Sequence, residues 1–266
     1  MTSKTKQSIE RYIVPAVEQA SLVLFSLARA ESSRMSLIEI SKDVDINKSK
    51  VFSILNTLQK FGLIQRDANE KGYSLGPGLI GLSRRFLDNL SAPKLAEPIL
   101  EALAKETGGT AALGLIAGKN VFVASKHEGG RVVAVTMRVG HRFPITYGCH
   151  GKAIAAFLPR EDLQELLRED KLHFHGDPSR FNRSKLLREI EKCRKVWFAE
   201  DLQEMVPGLN AVAAPVLGPN ERPIGYIVVL GLFSAEAARQ CGPLVAKAGK
   251  ALSVQLGANL DKDGFR

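Results

Sequence analysis

The chain has 266 residues, of which 45% are hydrophobic and 24% charged, a balance that suits one large or two modest folded domains and excludes a disordered chain. Its three cysteines show no paired spacing, so we expect neither a disulfide framework nor a cysteine-based zinc site, and we expect a reducing compartment. The start of the chain lacks the apolar core of a secretory signal, and its best apolar run, residues 224–233, is far shorter than a bilayer span. We therefore expect a cytoplasmic protein without a membrane segment.

The formal net charge of +9 favours a polyanionic partner such as nucleic acid. The positive excess is shared by the two halves of the chain, so it does not by itself identify a DNA-binding half. A local feature does discriminate, because residues 47–60 carry Lys48, Lys50 and Lys60 and no acidic residue. This segment is the first candidate for contact with DNA.

The N-terminal part is predicted to be a winged helix-turn-helix. A first helix spans residues 15–30, and Ser36 with Glu39 forms a capping box that starts a second, short helix. Asn47 is placed to cap a third helix, and Gly62 stands where a left-handed residue ends it. Two short strands around a polar loop follow the third helix, as a hairpin wing requires.

The remainder of the chain is predicted to form a separate domain after a linker helix. We assign residues 1–76 to the DNA-binding domain, residues 77–92 to the linker helix and residues 93–266 to the C-terminal domain. Its pattern of antiparallel strands flanked by helices places the protein in the α+β class. The predicted strands of this domain cover residues 111–117, 120–126, 132–139, 211–217 and 224–232.

One face of the third helix is predicted to read DNA. Its apolar side is buried at helical spacing, which leaves an outer face of small, polar and basic side chains suited to a major groove. The alternative is an ordinary solvated helix face. A lysine in the wing loop is expected to meet phosphate. The DNA-contacting residues predicted in this way are Lys48, Ser49, Lys50, Ser53, Asn56, Thr57 and Lys71.

Four fragments, in this order and spacing, resemble the IclR family of transcriptional regulators. They are SLIEISKDVDINKSKVFSILNTLQKFGLIQRD, the wing ending YSLGPGLIGL, RVGHRFPITYGCHGKAIAAFLP and PGLNAVAAPVLGPNERPIGYIVVLG. The resemblance covers nearly the whole chain. It implies a winged helix-turn-helix, a linker helix and a C-terminal α/β effector-binding domain with an antiparallel, GAF-like sheet. It further implies a homodimer or homotetramer that binds a double-stranded DNA operator and a small-molecule carboxylate effector, without a cofactor or membrane contact.

The same resemblance implies where the effector binds. Cys149 and His150 match family positions whose backbone amides face the ligand at the start of a helix, and such a helix start favours a carboxylate. Gly151, the next residue of this helix start, is included in the predicted site. Asp201 matches the downstream acid of the family site. A frequent family cysteine is replaced by Ala211, and positions that bear hydroxyls in members binding small polar acids are occupied by Val228 and Leu230. A pocket with these replacements favours an aromatic acid, whereas the alternative is that the two apolar residues belong to an ordinary core.

Two other classes of function are weighed against a regulator. Cys149 beside His150 at a helix start is the pattern of an activated thiolate, but adjacent helical residues point about 100° apart and seldom hydrogen-bond to each other. An interaction module without DNA binding is disfavoured by the lysine-rich third helix. His173 and His175 have no accompanying cysteine or acid of metal-ligand spacing. We therefore predict no catalytic residue and no metal site.

Overall fold

A computed structural model of the protein describes residues 13–30, 32–67, 72–82, 91–130 and 135–260. The chain divides into two compact units, residues 1–89 and residues 90–266. Across the described ranges, no helix combines the length and the apolar character that crossing a membrane requires.

The N-terminal unit is a winged helix-turn-helix, as predicted. Its three strands pair antiparallel in the order β1-β3-β2, and β1 is an addition that the sequence did not reveal. The elements in chain order are α1 (Pro15–Arg29), β1 (Met35–Ser36), α2 (Leu37–Asp43), α3 (Lys48–Lys60), β2 (Ile64–Arg66) and β3 (Gly72–Leu75).

The predicted caps of the two central helices are confirmed. The Ser36 hydroxyl accepts from the Glu39 amide (3.3 Å), and the Ser36 amide donates to the Glu39 carboxylate (2.7 Å). The Asn47 side chain accepts from the Lys50 amide at 2.9 Å, and Gly62 adopts a φ of +68° after α3. These local bonds fix both ends of the turn, so the apolar sides of the helices meet in one core. That core consists of Val23, Leu27, Ile40, Val51, Leu55, Leu58, Ile64 and Tyr73.

The linker helix is only partly within the described residues. Residues 78–82 are helical, whereas residues 83–90 lie outside the described ranges, and the next helix begins at Ser91. A continuous linker helix over residues 77–92 therefore stays a prediction.

The C-terminal unit is built on a six-stranded antiparallel sheet in the order β6-β5-β4-β9-β8-β7. A short 3-10 turn at Pro178–Arg180 precedes α7. The elements are α4 (Ser91–Thr107), β4 (Thr110–Ala117), β5 (Asn120–Glu128), β6 (Arg142–Pro144), α5 (Gly148–Phe157), α6 (Arg160–Leu166), α7 (Arg183–Val196), β7 (Ala199–Leu202), β8 (Asn210–Leu217), β9 (Pro223–Gly231) and α8 (Ala235–Gln255).

Helices α5 and α8 cover opposite faces of this sheet. Gly249 of α8 lies against the Ala214 side chain, and Ala214 pairs with Ile227 of β9. His150 of α5 stacks instead on Tyr226, the preceding residue of the same strand. Because successive side chains of a strand point to opposite faces, α8 packs on one face and α5 on the other. All ten residues of α5 are buried, so the start of this helix lies inside the unit.

Two strand predictions need correction. The strand predicted over residues 132–139 is wrong for its described part, since residues 135–139 form no strand and β6 begins only at Arg142. The missed strand β7 pairs with β8 and alternates buried with half-buried residues. The strand was missed because its sequence, AEDL, lacks apolar alternation. An acid, Asp201, occupies a buried position where an apolar core residue is expected.

Candidate functional site

The outer face of α3 presents the predicted DNA-contacting residues to solvent. The Ser53 hydroxyl donates to the Ser49 carbonyl (3.1 Å) and the Thr57 hydroxyl to the Ser53 carbonyl (2.9 Å), so these short side chains lie close to the helix. A low surface of this kind lets a helix backbone approach a groove closely. Lys71, in the wing loop, lies outside the described residues. The exposed residues of this face are Lys48, Ser49, Lys50, Ser53, Asn56 and Thr57.

No acidic side chain in the described part of this unit compensates the charge of the face. Ion pairs at the described positions join Arg29 to Asp43 and Arg34 to Asp67. None of the carboxylates in the described ranges lies within ion-pairing distance of Lys48 or Lys50. Both ammonium groups are therefore available to an external anion such as phosphate.

A cavity of about 200 Å³ lies in the C-terminal unit between the start of α5, one face of the sheet and residues 135–143. It brings together six of the seven residues predicted for the effector site, and Gly151 is the exception. The walls are largely apolar. The lining residues are Val135, Thr136, Met137, His141, Phe143, Tyr147, Cys149, His150, Asp201, Met205, Val206, Leu209, Ala211, Val228 and Leu230.

The register of the sheet explains why residues distant in sequence share this cavity. Asp201 of β7 lies opposite Ala211 of β8, which in turn lies opposite Leu230 of β9. Val228 is two residues before Leu230 and therefore faces the same side. One cross-strand row thus supplies the acid and two apolar wall residues.

Two backbone amides at the start of α5 meet no oxygen acceptor within the described residues. The Gly148 amide donates to the His173 carbonyl at 3.1 Å, and the Gly151 amide donates to the Tyr147 carbonyl at 2.9 Å. For the amides of Cys149 and His150, which lie between them, the described part of the chain supplies no oxygen acceptor, and the Cys149 sulfur is the only group there that they approach. Unpaired amides at a buried helix start form a site for an anion, because the helix dipole adds to their hydrogen bonds.

Gly151 has a packing role instead of the predicted ligand contact. Its amide is used within the helix, and a Cβ at this position would lie 2.5 Å from the backbone carbon of Thr146. Such a contact is shorter than any side chain tolerates. The glycine therefore lets α5 pack tightly on the segment that precedes it.

Asp201 is a buried acid with one oxygen bound and one oxygen free. Its Oδ1 accepts from the amides of Glu204 (2.8 Å) and Met205 (3.3 Å). Its Oδ2 lies at the start of α5, 3.0 Å from the position of a Cβ on Gly148. Burial raises the pKa of Asp201 above its ordinary value, because it outweighs the two amide donors.

The protonation states of Cys149 and His150 disfavour thiolate chemistry. Burial, together with the charge of Asp201, raises the pKa of the Cys149 thiol well above its ordinary value. Burial lowers the pKa of His150 to about 3, so its ring is neutral at physiological pH. An activated thiolate requires a lowered thiol pKa and a cationic partner, and this pair has neither.

Aromatic rings that the sequence analysis did not assign to the site line one side of it. Tyr147 stacks on His150 with ring centroids 5.5 Å apart, and Phe143 meets the His150 ring edge-on at 5.6 Å. His150 lies on Tyr226 at 4.4 Å, and Gly114 leaves the space for the Tyr226 ring, since a Cβ there would lie 2.2 Å from it. One sequence signal could have indicated this aromatic wall, namely the close spacing of Phe143, Tyr147 and His150 just before the Gly-Lys-Ala segment.

An ion-pair network supports the back of the cavity. Lys152, only 1% exposed, bonds to Glu189 (3.1 Å), Glu204 (2.5 Å) and the Glu200 carbonyl (3.2 Å). Because the Glu204 amide binds Asp201, this lysine holds the loop that orients the acid. Although burial lowers the pKa of Lys152, the two carboxylates outweigh burial and raise it.

His175 joins Glu189 and Glu204 of this network in an arrangement that resembles a metal-ligand set. The nearest ligand atoms of His175, Glu189 and Glu204 lie within 4.8 Å of one another, and His175 Nε2 is 2.8 Å from Glu189. In the sequence, His175 has no acid at metal-ligand spacing, because only the fold brings the two glutamates close to it. Lys152 and Lys185 both pair with Glu204, so ammonium groups already supply positive charge to these acids.

Comparisons with known sequence families cover both units. Residues 84–253 match the family described as bacterial transcriptional regulator IclR C-terminal, and residues 16–68 match the IclR helix-turn-helix domain. The chain is similar to the HTH-type transcriptional regulator XynR of Escherichia coli, with 28% identity over 249 residues that cover 92% of this chain and 98% of XynR. Relatives of this kind are transcriptional regulators and not enzymes.

Solved structures share the fold. An IclR transcriptional regulator from Alicyclobacillus acidocaldarius superimposes with a TM-score of 0.80 at 25% identity, covering 92% of this chain and all of the other. An IclR homolog from Microbacterium hydrocarbonoxydans, crystallised with 4-hydroxybenzoate, gives a TM-score of 0.73 at 16% identity and covers 91% of this chain and 98% of the other. The second likeness concerns the fold alone.

Proposed function

Because the chain belongs to the IclR family of bacterial transcriptional regulators, we propose that it binds an operator through α3 and senses a small apolar carboxylate, aromatic by preference, in the cavity at the start of α5. The observation that carries the proposal is the pair of amides of Cys149 and His150, which have no oxygen acceptor in the described part of the chain and belong to two residues that line a largely apolar cavity.

The operator contacts divide between reading and positioning. Lys48 and Lys50 at the start of α3 supply uncompensated positive charge, and an exposed lysine near a helix start is suited to phosphate or to a guanine edge. Asn56 and Thr57 lie one to two turns further along the same exposed face. Lys71 in the wing is proposed as a phosphate contact.

The ligand is proposed to bind with its carboxylate on the two amides and its apolar body against the sheet. Val228 and Leu230 are 2% and 6% exposed and face the cavity without offering a polar atom. A cavity of roughly 150 Å³ is large enough to hold benzene, so a volume of about 200 Å³ accommodates a ring with a carboxylate. The crystallised homolog with 4-hydroxybenzoate is an example of an aromatic acid held by this fold.

Control of transcription is proposed to follow from a shift between states of a homodimer or homotetramer. Two winged helices in one assembly match two operator half-sites only at a suitable spacing. A ligand that binds one state of the assembly more tightly than another shifts that equilibrium by its difference in affinity. The segment predicted as the linker helix, residues 77–92, joins the two units along the chain and is the proposed route of this coupling.

Calorimetric titration of the full chain with benzoate-like and pyruvate-like acids tests the sensor. We expect an aromatic acid to bind without turnover and to bind more tightly than pyruvate. Cys149→Ser is expected to retain binding, because an amide contact survives a change of side chain. Absence of binding by every acid in the panel, or a requirement for the Cys149 thiol, would contradict the proposal.

A further inference from the structure

Asp201 leaves one carboxylate oxygen without a hydrogen donor at the place where the proposed effector carboxylate binds. Its Oδ1 is occupied by the amides of Glu204 and Met205. Its Oδ2 receives no hydrogen bond from any residue in the described ranges. This free oxygen lies beside Gly148, immediately before the two unpaired amides.

An effector carboxylate on those amides therefore comes close to a second carboxylate. Two carboxylates that share one site without a hydrogen between them do not both remain ionised, because their repulsion is large. A shared proton removes the repulsion, whereas a hydroxyl or ammonium group on the ligand satisfies the Asp201 oxygen with its own hydrogen and lessens the repulsion.

We infer that Asp201 selects effectors by requiring a hydrogen on its Oδ2, supplied either by a hydroxyl or ammonium group next to the effector carboxylate or, for acids without such a group, by one proton taken from solvent. The inference rests on the proposed function, since it assumes that the carboxylate occupies the amides of Cys149 and His150. For acids without a donor group, the only chemical step is a proton transfer, in which an O–H bond of solvent breaks and an O–H bond forms at the shared site.

The neighbouring polar groups do not supply this hydrogen. Lys152 forms ion pairs with Glu204 and with Glu189. The Cys149 thiol and the Tyr147 hydroxyl both lie near Asp201, but neither donates to it. His150 on α5 is buried, and its Nε2 has no partner.

His141 is a further titratable group that lines the cavity, from the segment opposite α5. Its imidazole is the neighbouring group that a pH experiment has to control for. A matched variant, His141→Gln, therefore belongs in the experiment.

The experiment measures Kd for two matched acids, phenylacetate and mandelate, by calorimetry on the full chain from pH 6 to pH 8.5. The two differ by one hydroxyl next to the carboxylate. Phenylacetate takes up a proton, so its Kd is expected to rise by about tenfold per pH unit above the pKa of Asp201 in the free protein. Mandelate brings its own donor, and its Kd is expected to stay constant, so it binds more tightly at pH 8.

Asp201→Asn provides the second test, because the amide keeps the side-chain shape and offers its own donor to a ligand oxygen. In this variant we expect the Kd of phenylacetate to lose its pH dependence and the advantage of mandelate to vanish. The slope is expected to persist in His141→Gln. The pH slope in the unmodified protein requires no variant, so a folding defect of Asp201→Asn does not affect the first test.

The outcomes separate the two proposals. If the Kd of both acids is independent of pH and changes equally in Asp201→Asn, the proposed hydrogen requirement at Asp201 is refuted. The proposal that the protein senses a carboxylate is then unaffected. Loss of the slope in His141→Gln also refutes it. If neither acid binds under any condition, the proposed sensor fails, and the requirement at Asp201 fails with it.

Discussion

Replacement of Lys152 by Met is expected to lower the free energy of unfolding of the C-terminal unit and also to weaken ligand binding at the effector site. The ammonium group is 1% exposed and lies between Glu189 and Glu204, which are 26% and 16% exposed. Removing one partner of a buried ion pair costs about 3–5 kcal/mol, because the remaining charge is left without compensation. We expect about 3 kcal/mol, the lower limit, since His175 still bonds to Glu189 and Lys185 still pairs with Glu204.

The size of this effect is expected to depend on pH. Burial alone would raise the pKa of Glu189 and Glu204, but their partners, Lys152 included, lower both below the ordinary value of 4.5. Acids with a lowered pKa in the folded protein stabilise it above the unfolded pKa, and this contribution is lost as the pH falls through the folded pKa. The difference between the two proteins is therefore largest near neutral pH and narrows below about pH 4.5.

Thermal and urea unfolding of the full chain measure Tm and the free energy of unfolding and so test this prediction. A loss of about 3 kcal/mol corresponds to a fall in Tm of roughly 6–12 °C for a unit of this size. The matched control is Lys195→Met, whose ion pair with Glu191 is 73% and 69% exposed on α7 and is expected to contribute little. Equal stability of the Lys152 and Lys195 variants at pH 7 would refute the reasoning.

Three further predictions concern DNA, ligand and assembly. Lys48→Ala and Lys50→Ala are each expected to lower the salt dependence of log affinity for duplex DNA by about one, measured by fluorescence anisotropy; unchanged slopes would exclude both as phosphate contacts. The double substitution Val228→Ser and Leu230→Ser is expected to make the binding free energy of phenylacetate less favourable by about 1–2 kcal/mol, measured by calorimetry. An unaltered Kd would exclude both residues as ligand contacts. Val17, 63% exposed on the apolar side of α1, is expected to contact a second copy, so Val17→Asp shifts the light-scattering mass towards a monomer, and a monomeric unmodified protein would contradict this.

Features with local causes were predictable from the sequence. The capping box of Ser36 and Glu39, the cap at Asn47 and the left-handed Gly62 each depend on residues a few positions apart. Together with the apolar periodicity of α3 they determine the winged helix-turn-helix. The two-residue strand β1 escaped prediction because its pairing with β3 depends on the folded register.

The cavity was predictable in part, through the family resemblance and not through local patterns. Cys149, Asp201 and Leu230 lie far apart in the chain and meet because of sheet register, which periodicity does not reveal. The contact of Lys152 with Glu204 was missed for the same reason. The packing of Gly151 was not predictable, since a glycine at a helix start has the same sequence signal whether it frees an amide or permits close packing.

The most direct test of the account is the response of the Cys149 amide to a bound acid. Selective ¹⁵N-cysteine labelling of the full chain gives amide signals from Cys149, Cys193 and Cys241, of which only Cys149 lines the cavity. On titration with phenylacetate at pH 6, we predict that the Cys149 amide proton shifts downfield, as a new hydrogen bond to a carboxylate requires, while the other two signals stay in place. Calorimetric binding of phenylacetate with an unshifted Cys149 amide would contradict the claim that the helix start of α5 holds the effector carboxylate.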